Sequence, residues 1–326
     1  MLGNVFSVPG FWVVSLVFFL TAVLTLVFLV SDLVLKGTFV MNDSFPIGDF
    51  LDLTVSSPIF IAVCIALHYC YHAQATTRAQ YALQCASIVS TVVLFYGHAT
   101  HLAGNAIHTT FTELRPQNVS HSALRLMYFL DETLGHILTL GGWYSLLFTC
   151  VLRDAQYSML QCNGLVDRTT GVVQCFAVVT GVVMGVVHTV SFIEGDCPLM
   201  GLFLVAPLGI ALSLVNSLHN VPARMMSLSE KKRDRNLAVG TSTAAQRQAR
   251  HEIRAPPRYS IIQLLHSCPM SMICLYACST LAIGECLYYV KFGGFVQPSH
   301  LGGVGCAFFG ACKDVIRYPT ELLQHL

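Results

Sequence analysis

Between Gly97 and His136 the chain gathers the side chains best able to do chemistry into surroundings that are otherwise apolar. The stretch GHATHLAGNAIH spaces His98, His101, Asn105 and His108 by 3, 4 and 3 residues, which on a helix is one stripe down a single face. After a short polar loop the chain returns to apolar sequence through YFLDETLGH, carrying Asp131, Glu132 and His136. Glu132 and His136 are i, i+4 neighbours that face one way, with Asp131 about a quarter turn off. His188, Ser191 and Glu194 close a later apolar run, and Glu285 lies near the end of the last one.

Neutral imidazole and carboxylate together suit a divalent metal, zinc or iron, with three protein ligands and an open position in a catalytic site. Such an ion activates water or polarises a carbonyl, while a spare carboxylate acts as general base. On this reading His101, His108, His136, His188 and Glu194 are the candidate metal ligands. Glu132 and Asp131 are the candidate bases, Ser191 is a further candidate catalytic group, and His98, Asn105 and Glu285 complete the polar site. The competing reading is that His, Asn and Asp inside a membrane join helices by hydrogen bonds. His98 is the weakest member of the cluster, because three histidines on one helix exceed what a single ion usually takes.

The elements that must position these groups follow from composition. Of 326 residues, 54% are hydrophobic and 11% charged, against about 25% charged in soluble domains. This describes an integral membrane protein folded as one all-α, multi-pass transmembrane bundle, without separate soluble domains. Seven segments approach the roughly 20 apolar residues that a bilayer demands: Phe11 to Leu35, Ser56 to His72, Tyr81 to His108, Ala123 to Leu152, Gly171 to Ile193, Leu199 to Leu218, and Ile261 to Phe292. The first is too long for a signal-peptide core and lacks a basic leader, so it reads as a span. Gly302 to Ala311 is too short to cross and reads as a surface or re-entrant tail. Gly135, Gly141 and Gly142, with Gly181 and Gly185, are small-residue packing positions that would bring the fourth and fifth spans side by side.

Seven spans put the termini on opposite sides. The side holding the N-terminus and the loop between the sixth and seventh spans carries 12 of the 18 Lys and Arg and only 5 of the 17 Asp and Glu. The positive-inside rule makes that side, and the N-terminus, cytosolic, with the C-terminus luminal or exoplasmic in an endomembrane or the plasma membrane. The sequons at Asn42 and Asn118 fall on the opposite side, where a eukaryotic chain is glycosylated, so the protein reads as a glycoprotein. The histidine and carboxylate sets of the third, fourth, fifth and seventh spans share that luminal or exoplasmic level. The loop at 222–258 reads as basic, disordered and cytosolic. Its cations, from Lys231 to Arg258, enforce topology and could contact anionic lipid, whereas a nucleic-acid role has no folded reading surface. Of thirteen cysteines, only Cys197, Cys286, Cys306 and Cys312 lie where disulfides could form on an oxidising side.

Seven spans with a His/Asp/Ser set resemble in type the superfamily of membrane hydrolases that includes alkaline ceramidases and progestin/adipoQ receptors. That family is expected to carry an H-x-x-x-H pair on its last span. Here the last span has a lone His266, so no residue role is carried over. Three functions fit the polar site: a metal-dependent enzyme modifying a membrane lipid by hydrolysis or redox chemistry, a proton or divalent-cation transporter or channel, and a receptor or assembly factor. Transport requires ionisable groups that continue to the cytosolic side, for which the sequence offers His68, His72 and His219.

Overall fold

The computed structural model describes residues 17, 19–24, 39–40, 45–73, 75–109, 120–161, 166–216 and 269–295. The described residues are almost entirely helical, because a helix satisfies its own backbone within the segment, as a bilayer core requires. Six helices are long and apolar enough to cross a membrane among the described residues. They are α1 (Ile47–His72), α2 (Arg78–Thr109), α3 (121–161), α4 (Val166–Glu194), α5 (Pro198–Asn216) and α6 (Pro269–Phe292). Of the first expected span, residues 17 and 19–24 are described and helical, with Val17 and Leu20 buried in the shared apolar core. A two-residue antiparallel ladder, Phe39–Val40 with Phe45–Pro46, precedes α1. The basic loop, both sequons, Cys306, Cys312, His219, His266 and the glycine-rich tail lie outside the described residues.

The helix boundaries have local causes. Thr77 and Gln80 open α2 with a capping box, Gln80 N–H donating to Thr77 Oγ1 (3.3 Å) and Thr77 N–H to Gln80 Oε1 (3.2 Å). Ser120 caps α3 through the Ala123 N–H. Proline stands at the first position of α5, where its missing N–H costs nothing. The turn from α4 to α5 spans only Gly195 to Cys197, with Asp196 in the left-handed region at φ 51°. Gly293, at φ +70°, stops α6.

Glycines decide which helices pair. Along the antiparallel α2–α3 contact, Gly97 lies on Leu138 and Thr139, Gly104 on Asp131, Gly135 on His101, and Gly142 on Leu94. A Cβ at Gly142 would lie 2.7 Å from Leu94 Cα, and one at Gly104 2.8 Å from Asp131 Cα. On α4, Gly181 and Gly185 lie on the backbone of α6 at Ile273 and Ala277, with the two helices running parallel. The two glycine sets therefore build two separate pairs, α2 with α3 and α4 with α6. The fourth and fifth spans instead meet at Gly195, which lies on the His136 side chain, and through Tyr144 and His188.

Three helices contain a π-type turn: Asp52–Ser56 in α1, Phe129–Gly135 in α3 and Gly201–Val205 in α5. Each adds a residue to the turn and re-aims the side chains within it. The first lengthens the expected second span at its start, from Ser56 back to Ile47, and takes Asp49 and Asp52 into a helix.

Candidate functional site

The polar residues of α1, α2 and α3 form one layer at the end of the bundle where α2 finishes and α3 begins. Gly135 lets α3 lie against His101, and Gly104 lets α2 lie against Asp131, so both residues sit at the closest approach of two helices. His101 Nδ1 donates to the Asp131 carbonyl at 3.2 Å and lies 2.9 Å from the Asp131 carboxylate. One turn along, His136 Nδ1 donates to the Glu132 carbonyl at 2.7 Å, with the Glu132 carboxylate 3.9 Å away. Those carbonyls belong to the π-type turn, whose altered bonding leaves acceptors for the imidazoles. The two rings meet edge to face with centroids 4.6 Å apart. Each ring has its Nδ1 fixed by an acceptor, an arrangement that orients histidine ligands in metal sites and raises their basicity. Among the described residues the hydrogen bonds recorded for these two rings are made through Nδ1. The His101 side chain is 28% exposed and Asp131 1%, so the imidazole reaches outward while its partner stays inside.

A second pair stands beside it. Ser57 Oγ donates to the Asp52 carbonyl (2.8 Å) and accepts from His98 Nε2 (2.8 Å), whose distance to the Asp52 carboxylate is 3.7 Å. Ser57 has already spent its proton, so this Ser, His and Asp are not a nucleophilic triad. Asn105 donates its amide to Asp49. Asp49 and Asp52 were not among the residues anticipated from sequence, because the expected span began after them. Their signal was the acidic spacing just ahead of an apolar run, legible only once the helix is extended to Ile47.

Other anticipated residues fall elsewhere. His188 is buried and shares a 2.8 Å hydrogen bond through Nδ1 with Tyr144 Oη, about two turns below His136. Ser191 donates its hydroxyl to its own helix at Val187 (3.2 Å) and is not joined to a histidine among the described residues. Glu194 ends α4 beside Gly195, whose Cα faces His136 and the Glu132 carbonyl. Glu285 is fully buried against Gly201 of α5, on the α4–α6 side of the bundle. The side chain of His108 lies outside the description. His101 and His136 with their carboxylates are thus brought together, while His188, bonded to Tyr144, and Glu285, against Gly201, lie deeper and outside that layer. Among the described residues no three His, Cys, Asp or Glu side chains are grouped closely enough to hold a metal ion.

The opposite end of the bundle holds a buried polar network around Arg153 and Asp154, which directly follow the expected end of the fourth span at Leu152. Arg153 and Asp154 are each 2% exposed. Arg153 Nε donates to the Tyr71 carbonyl (2.7 Å), and Tyr71 Oη to Asp154 Oδ1 (3.5 Å). Asp154 Oδ2 accepts the Ser271 N–H (3.1 Å) in the first turn of α6, and Asn216 of α5 donates to Ser271 Oγ (2.9 Å). His72 Nε2 donates to Thr149 Oγ1 at 3.2 Å, that hydroxyl having given its own proton to Leu146. Three helices, α1, α3 and α6, are tied there by hydrogen bonds to a carboxylate or guanidinium, the stronger kind, and α5 joins through Asn216 and Ser271.

Compared with known proteins, the chain matches no family model, no curated protein and no solved structure.

Proposed function

We propose that the protein is a multi-pass membrane enzyme that modifies a lipid at the layer built by His101, Asp131, Glu132 and His136. The observation that carries this is the pair of imidazoles 4.6 Å apart, with their Nδ1 atoms held at Asp131 and Glu132. In this reading His101 and His136, with a further carboxylate from Glu132 or Glu194 drawn in on binding, would hold a divalent metal, zinc or iron, which would supply water activation or carbonyl polarisation. Asp131 fixes the orientation of His101, and Glu132, 24% exposed against 1% for Asp131, is the better placed of the two carboxylates to move a proton. A lipid substrate follows from the setting, since a site between membrane-length helices is entered most directly from the bilayer. The charge asymmetry of the loops puts this layer on the luminal or exoplasmic side.

The test is metal content and lipid turnover together. Detergent-purified protein is expected to carry near-stoichiometric zinc or iron that falls in the His101→Ala/His136→Ala variant. Membranes from cells producing wild-type protein are expected to differ in lipid composition from those producing the variant. A metal content near zero in both, with identical lipids, removes the proposal.

Proton or cation transport is favoured by one observation of its own: buried ionisable groups occur at three depths. They are Asp131 at one end, Tyr144, His188 and Glu285 inside, and His72, Arg153 and Asp154 at the other end. Proton- or metal-driven flux into liposomes holding the purified protein, lost in the same His variant that retains its fold, would establish transport in place of lipid chemistry.

A further inference from the structure

Glu285 stands outside the histidine layer and is not used by its chemistry. Its side chain is fully buried in α6, and among the described residues neither carboxylate oxygen has a hydrogen-bond partner. Its neighbour Gly284 lies on Thr189 of α4, five residues before the end of that helix, and Glu285 itself is seven residues before Phe292. At 1.5 Å per residue both counts put the carboxyl about 7–10 Å inside the bundle from the end that carries the histidine layer. The titratable groups beside it are the Tyr144 phenol of α3 and the Cys197 thiol of the α4–α5 turn. Both ordinarily titrate above neutrality and neither supplies a positive charge.

An isolated carboxylate at such a place is too costly to remain ionised, so the group holds a proton or meets a cation. What lies against it is the first turn of α5. Glu285 Oε1 occupies the space a side chain would take at position 201, so only glycine lets α5 lie this close. Gly201 begins the π-type turn of α5, and the helix hangs from α4 by the three residues Gly195 to Cys197. Movement of that first turn admits water to the carboxyl, and the proton passes to it, leaving a hydrated carboxylate.

We propose that Glu285 is an exchangeable proton-binding site: a carboxylic acid covered by the Gly201 turn of α5. It does not depend on metal binding by His101 and His136.

Infrared difference spectroscopy on the full chain in lipid tests this. A carboxylic C=O band is expected at neutral pH, moving down in heavy water, disappearing reversibly at alkaline pH, and absent from Glu285→Gln. An unchanged spectrum in Glu285→Gln, or a band that neither shifts in heavy water nor titrates, overturns the proposal. A second measurement needs no variant. A hydrophobic carbodiimide adds across its N=C=N bond the O–H of a protonated carboxyl, leaving an N-acylurea that peptide mass spectrometry locates. Labelling at Glu285 that falls several-fold as pH rises supports the site, and no labelling at any pH overturns it. Suppression by sodium chloride but not choline chloride at fixed pH makes it a sodium site and overturns the proton assignment.

Discussion

At the scale of single residues, the histidine layer separates groups that hold from groups that act. Asp131 is buried and engaged with His101, so Asp131→Asn keeps the shape while removing the charge that fixes the ring. Metal affinity is expected to fall roughly 10–100-fold, as for other partners that orient metal-binding histidines, read by competition with a chelating dye. Ser191 gives its proton to Val187 within α4. Ser191→Ala is therefore expected to leave metal content and lipid turnover unchanged, which would remove the serine from the candidate catalytic set.

Helix elements carry their own test, because adjacent glycines in α3 have opposite surroundings. A Cβ at Gly142 meets the Leu94 backbone, whereas one at Gly141 meets only the mobile end of Met200, at 3.3 Å. Gly142→Ala is expected to cost about 1–3 kcal/mol by overpacking and to lower the detergent melting temperature by several degrees. Gly141→Ala is expected to be near neutral in the same measurement. Much of this level was legible in sequence: apolar length marked the third to seventh spans, and the 3–4–3 spacing placed His98, His101 and Asn105 on α2. What sequence could not give was the partner of each glycine, because a small residue licenses close approach without saying to which helix. Nor could it give the π-type turns. Regular spacing assigned His136 to the Glu132 side chain, but the added residue hands its imidazole to the Glu132 carbonyl and turns Asp131 onto His101.

The whole molecule is tied at both ends by polar layers, with an apolar core between them. Asp154 joins α1, α3 and α6 at the end opposite the histidines, and through Ser271 reaches α5. Asp154→Ala leaves buried donors without an acceptor and is expected to cost about 3–5 kcal/mol, seen as early aggregation in thermal size-exclusion assays. Asp154→Asn, which keeps one acceptor, is expected to lose less. Sequence reading counted Arg153 and Asp154 as loop charges because they follow an apolar run, and only the three-dimensional neighbours of that run show them to be interior. Sidedness has a direct measurement: if the histidine layer faces the lumen, Asn118 carries a glycan when made in a eukaryotic cell. Glycosidase treatment is then expected to shift wild-type mobility by one glycan more than that of Asn118→Gln.

The π-type turn at Phe129–Gly135 also sets how the chain tolerates editing. It works as a vernier, one residue of slack between the carboxylates that face His101 and the glycines that face α2. Substituting Thr133 leaves that slack in place. Deleting it would restore plain helix and rotate Asp131 and Glu132 by about 100° against Gly135 and Gly142, so that site and helix pair could no longer be satisfied together.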